Sequence, residues 1–266
     1  MCLVAVLLAS CSDSKPSKVQ QTAEAVDEEP AVVPTAEGDD LLPKGAEELF
    51  DDFMMSFASN ERLQRRRIVF PLKVTAGRRS EAIDSVQWQM DSFFLPDDGY
   101  TLIFDSPEQQ ELVSDTSVNR AMVEKFYLDR DSVCQYMFSR TGGRWHLNEL
   151  RRQRLAENAN GAFLSFYSRF AADSVFQQHS LADKIEFSGP DPDDDFEQLE
   201  GFITPGSWDA FAPDLPQGNI YNIVYGQQNP RSQQRIFVIR SIDGGESIEL
   251  TFEKKRGSWR LTKLTE

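Results

Sequence analysis

The sequence predicts an α+β protein whose fold is written twice, each copy beginning with short helices packed on a curled antiparallel sheet. Three observations carry this reading: blocks of residues that recur in the same order, a phenylalanine stripe at helical spacing at the head of each copy, and alternating hydrophobicity around a glycine turn at each tail.

The chain opens on residues 3–9, LVAVLLA, which fall far short of the roughly 20 apolar residues of a spanning helix but suit the core of a signal peptide. Leu8, Ala9, Ser10 and Cys11 resemble the lipobox of bacterial lipoproteins, which implies cleavage before Cys11 and a diacylglyceryl group on its sulfur. No basic residue precedes the apolar run, the first being Lys15; a start codon placed too far downstream accounts for that. Cys2 belongs to the leader, so Cys134 is left as the one ordinary thiol and the folded part has no internal disulfide.

A tether follows. Residues 12–49 carry ten acidic and three basic side chains and no aromatic, too little apolar material to bury a core. The expected organisation is a signal peptide over 1–10, a disordered acidic tether over 11–45, and repeats over 46–150 and 162–266. The net charge of −15 excludes a nucleic-acid partner, since phosphate contacts need a basic surface.

Each repeat starts with its stripe. FDDFMMSFASNERLQ from Phe50 matches FLSFYSRFAADSVFQ from Phe163, with Phe50, Phe53 and Phe57 falling on Phe163, Phe166 and Phe170. Their spacing of i, i+3, i+7 predicts one apolar helix face, and the matched Asn60 and Asp173 predict the N-cap of a second short helix. Next, Trp88 with Leu95-Pro96 and the strand YTLIF from Tyr100 matches Trp208 with Leu215-Pro216 and YNIVY from Tyr221. At the tail, Phe138, Gly143, Trp145, Leu147 and Leu150 match Phe252, Gly257, Trp259, Leu261 and Leu264, the pattern of a hairpin with one buried face. The polar stretch 151–161, RRQRLAENANG, separates the copies.

Two N-terminal helices, a Trp…Leu-Pro segment and a terminal G-x-W-x-L strand pair resemble the cone-shaped nuclear-transport-factor-2-like (cystatin-like) fold. The tandem copy behind a lipobox resembles an uncharacterised family of Bacteroidetes lipoproteins, a domain of unknown function. The superfamily includes steroid isomerases, polyketide cyclases, dehydratases and binding domains without chemistry; none of its catalytic patterns matches here, so no catalytic residue is assigned.

The remaining chemistry-bearing residues read as structure. Trp88, Trp145, Trp208 and Trp259 are all matched between copies, which favours packing over a sugar-stacking platform. Cys134 shares strand parity with Tyr136 and Phe138 and aligns with Ile248, the position of a small core residue. His146 and His179 align with Arg260 and Arg66, as surface positions do, and no zinc site forms from them. DPDDD, Asp191–Asp195, lacks the Gly and Glu of a calcium loop and reads as a solvated turn. ERLQRRR, residues 61–67, with Arg151, Arg152 and Arg154, reads as a helix exterior and a linker rather than an anion site. No metal and no cofactor is expected.

The functional expectation is a lipid-anchored cell-envelope protein on the outer membrane, periplasmic or surface-facing. It would be a non-catalytic module binding a small molecule, a glycan fragment or an envelope protein. The alternative is an isomerase- or cyclase-like enzyme with a buried carboxylate as base. The ligand site is expected inside a cone or at the cleft between the copies, bordered by Trp88 and Tyr100 or by Trp208, Tyr221 and Tyr225, whose polar tips suit a concave apolar mouth.

Overall fold

The computed structural model describes residues 48–97, 99–191, 194–226 and 228–266. The leader, Cys11 and the acidic tether lie outside the described residues.

The first half runs α1 (Phe50–Ser59), α2 (Glu61–Arg67), β1 (Ile68–Ala76), β2 (Arg79–Ile83), β3 (Gly99–Phe104), α3 (Pro107–Glu111), β4 (Arg120–Tyr127), β5 (Ser132–Thr141) and β6 (Arg144–Arg154). The second repeats it without a counterpart of α3: α4 (Gly161–Ala172), α5 (Ser174–His179), β7 (Leu181–Asp191), β8 (Asp194–Ile203), β9 (Asn219–Tyr225), β10 (Gln234–Ser241), β11 (Ser247–Lys255) and β12 (Ser258–Thr265). Both expected caps form: the Asn60 side chain accepts from Leu63 N and that of Asp173 from Phe176 N, each satisfying an orphan donor of the first helical turn.

Two six-stranded sheets result, ordered β2-β1-β6-β5-β4-β9 and β8-β7-β12-β11-β10-β3. The orders are the same, strand for strand, except that the sixth strands are exchanged. β3 pairs with β10 of the second half, Leu102 opposite Val238, and β9 pairs with β4 of the first, Ile223 opposite Val123. Each sheet is mixed where the alternation predicted antiparallel pairing throughout: β1 runs parallel to β6, and β7 to β12. Alternation specifies which face a side chain takes, not the direction of the neighbouring strand, so the parallel ladder leaves no trace in it.

The exchange shifts one expected correspondence. Cys134 and Ile248 are matched, and across the ladders they stand opposite Lys125 and Ile239, whose partners on the exchanged strands are Tyr221 and Thr101. The counterpart of Tyr221 is therefore Thr101, not Tyr100. A slip of one residue turns a strand's side chains to the other face.

Two aromatic cores follow from the Phe stripes. Phe50, Phe53 and Phe57 surround Phe138 at ring separations of 5.3, 5.8 and 5.5 Å in edge-on contacts, and Phe163, Phe166 and Phe170 surround Phe252 in the same way at 5.4, 5.8 and 5.2 Å. The exchange also mixes the cores: Tyr221, Ile223 and Tyr225 pack in the first, Ile103 in the second.

The exchanged strands are the edges of their sheets, and each caps the other. Thr101 Oγ1 donates to Tyr221 O at 2.6 Å and accepts from Tyr221 N at 2.9 Å, while Asn222 Oδ1 accepts from Ile103 N at 2.8 Å. These bonds satisfy edge groups that would otherwise pair with another chain. Behind them lies Glu124, fully buried, whose carboxylate accepts from Gln135 (2.9 Å), Asn158 (2.6 Å) and Asn222 (3.0 Å), drawn from the first half, the connecting stretch and the second half.

Candidate functional site

On the helix-covered face of the first sheet, β4 places Lys125 and β5 places Cys134 and Tyr136. The segment before β3 brings Asp91 over them. The Tyr136 hydroxyl donates to Asp91 Oδ2, and Lys125 Nζ stands 3.5 Å from Asp91 Oδ1, with both side chains largely covered. Lys125 also lies over the rings of Tyr127 and Tyr221 at 5.8 and 5.5 Å. Desolvation pushes the Cys134 thiol and the Tyr136 hydroxyl above their ordinary values, so neither is an ionised nucleophile at neutral pH. The group is a polar plug whose members satisfy one another.

At the same places the second half has Ile239 for Lys125, Ile248 for Cys134, Leu250 for Tyr136 and Phe211 for Asp91. No plug forms. A cleft of about 560 Å³ stands open instead, floored by Phe211, Ile239 and Ile248 and rimmed by Arg240, Glu246 and Glu266; partial burial pushes the Glu266 carboxyl up. A second cleft of about 300 Å³, lined by Asp97, Tyr100, Pro216, Asn219 and Tyr221, adjoins it, since Gly99 and Ile239 line both. Gly99 is required there: a Cβ would stand 2.6 Å from Arg240 O. The pair of clefts runs along the strand exchange, apolar at its floor with charged and phenolic groups at its edge, the composition of a small-ligand site.

The sequence-predicted residues divide. Tyr100 and Tyr221 line the seam, and the Tyr221 hydroxyl donates to Phe93 O at 2.7 Å. Tyr225 sits deeper, its hydroxyl bonded to the Asp51 carboxylate of α1; burial pushes that carboxyl up. Trp88 and Trp208 line neither cleft. Each is buried with its indole Nε1 donating to a glutamine, Trp88 to Gln64 at 3.1 Å and Trp208 to Gln177 at 2.9 Å. Trp208 packs in the second core, apart from Tyr221 and Tyr225 in the first, so the expected trio is not one group.

Sequence reading passed over the two glutamines, although they are matched within the first block. It also passed over Asp91, Lys125 and Glu124, whose counterparts are apolar and which no repeat comparison could select.

The arginines are spent locally. Arg67 pairs with Glu48 at 3.1 Å, Arg65 with Glu61 at 2.9 Å and Arg154 with Asp131 at 3.5 Å. Of the run expected as a turn, Asp191 ends β7 and Asp194 and Asp195 begin β8, with Asp191 paired to Asp194; its remaining two positions lie outside the described residues. Among the described residues no three His, Cys, Asp or Glu stand close enough to hold a metal ion, and no helix is long and apolar enough to cross a membrane.

Residues 35–266 match a family model described as a domain of unknown function, DUF4348. A crystal structure of an ntf2-like protein from Bacteroides fragilis NCTC 9343 superposes with a TM-score of 0.77 at 39% identity, covering 84% of this chain and 98% of that one. No curated protein matches the chain.

Proposed function

The chain belongs to the DUF4348 family, and we propose that it is a lipid-anchored envelope protein that binds a small amphipathic ligand, such as a glycan fragment or a sterol-like compound, at the seam of its exchanged strands. The observation that carries this reading is the contrast between the two helix-covered faces: the first is closed by Asp91, Lys125 and Tyr136, while the second is left open over Phe211, Ile239 and Ile248. Arg240, Glu246, Tyr100 and Tyr221 supply polar contacts at its edge. The enzyme alternative needs a carboxylate free to take a proton from a bound substrate. Glu124 is engaged by three amide donors, Asp51 lines neither cleft, and Asp97, Glu246 and Glu266, which do line them, are exposed rather than buried, so none of these side chains supports it.

A thermal-shift screen of envelope glycans and sterol-like compounds tests the site, because a ligand that binds only the folded state raises its melting temperature. Ile239→Trp fills the shared floor and abolishes the shift of any true ligand. A shift that survives in that variant rejects the seam as the site. For the anchor, Cys11→Ser releases the protein from the membrane fraction; unchanged membrane association rejects it.

A further inference from the structure

The first half carries a contact that has no occupant in the second. Ahead of α1, Glu48 lies across the β5–β6 hairpin: its carboxylate takes Arg67 Nη1 and Nη2 at 3.1 and 3.2 Å and the main-chain N–H of Trp145 at 3.0 Å, and its carbonyl takes the Trp145 indole at 2.9 Å. Glu48, followed by the extended Leu49, is thereby held between the helices and the hairpin.

In the second half the chain enters α4 differently, through a 3-10 turn at Leu155–Glu157, and Ser180 stands where Arg67 stands in the first. The smaller side chain leaves a groove of about 480 Å³ bounded by Phe166, Phe176, His179, Lys254, Trp259 and Arg260. Trp259 holds the ladder position of Trp145, Lys254 opposite Trp259 as Arg140 is opposite Trp145, so its main-chain N–H takes the same direction. The Trp259 indole N–H meets no acceptor among the described residues. Among the described residues Lys254 forms no ion pair, and it lies over the Trp259 ring at 5.6 Å. Arg260 anchors the groove's end through His179 O and Leu181 O.

We propose that this groove is a docking site for an extended, glutamate-bearing segment of a partner protein. The segment is held as Glu48 is held in the first half, with the charge of Lys254 and Arg260 standing in for that of Arg67. The site is separate from the seam clefts, with which it shares no residue.

The chain's own residues 44–49, KGAEEL, made as a capped peptide, provide the probe. Titrated into the full chain, it binds saturably; its KGAQQL version binds at least tenfold more weakly; and Lys254→Glu in the protein lowers affinity at least tenfold with the melting temperature retained. Ser180→Arg, which restores the first half's guanidinium, tightens binding. Absence of saturable binding overturns the proposal, as does equal affinity for the glutamine peptide. An affinity that Lys254→Glu leaves unchanged also overturns it, since the peptide would then be displacing Glu48 in the first half. N-acetylglutamate binding as tightly as the peptide rejects the docked segment.

Discussion

The two halves share one strand order, matched helix caps and the same glutamine-to-indole bond, yet where the first half has Asp91, Glu124, Lys125 and Tyr136 the second has Phe211, Val238, Ile239 and Leu250. In the first those side chains close the space beneath the helices and lock the exchanged strands; in the second the same space opens as a cleft. The framework thus rests on matched positions, whereas open space is set by unmatched ones.

Separating the two halves has the greatest consequence. Chains spanning 46–158 and 159–266, expressed apart, each lack a sixth strand and leave the edge of β4 or β10 bare. Neither gives the cooperative unfolding transition of the whole, and mixing them restores it; a cooperative transition in either alone would show the exchange to be dispensable. Next in size is Glu124→Val, which puts the second half's residue into the first. Three buried amide donors lose their acceptor, at about 3 kcal/mol or more, read from denaturant midpoints. Val238→Ala removes only buried methyl groups at the matched place and costs less.

The glutamines sharpen the contrast. Gln64 makes four bonds, to Phe57 O, Asp91 O, Asp91 N and the Trp88 indole, whereas Gln177 makes two, to Phe170 O and the Trp208 indole. Gln64→Ala costs about 3 kcal/mol and Gln177→Ala about 1 kcal/mol, measured in the same denaturant series.

The smallest effect concerns Asp51, which ties the first helix to Tyr225 of the second half. Its carboxyl is pushed up from 3.8, first by desolvation, so the folded state favours the protonated form and loses stability as pH rises through the folded value. Asp51→Asn removes that loss: its melting temperature exceeds the parent's at neutral pH, and the gap closes as pH falls below about 4. A gap that stays constant with pH would mean that the shift has no part in it.

Much of this fold was legible because repetition marks packing. The Phe stripes, the caps at Asn60 and Asp173, and the terminal hairpins all formed where the matches placed them. The exchange was hidden: YTLIF and YNIVY fit either sheet, since alternation fixes a strand's faces and not the sheet it joins. That ambiguity also hid the correspondence of Tyr221 with Thr101, since the sequence match pairs it with Tyr100, and the two cores hold Trp208 and Tyr225 apart. The open cleft was illegible for a related reason. Ile239 and Ile248 look like any core residues, and only the absence of a counterpart to the Asp91–Lys125 plug reveals space beside them.

The exchanged strands also impose an order on biosynthesis. β3 leaves the ribosome well before the Gln234–Ser241 strand it must join, and β4 waits likewise for Asn219–Tyr225. At cellular elongation rates the delay for β3 is on the order of ten seconds. During it the first half carries an unmatched edge and cannot complete its own sheet. A polypeptide wired this way gains from being kept unfolded until the whole has emerged.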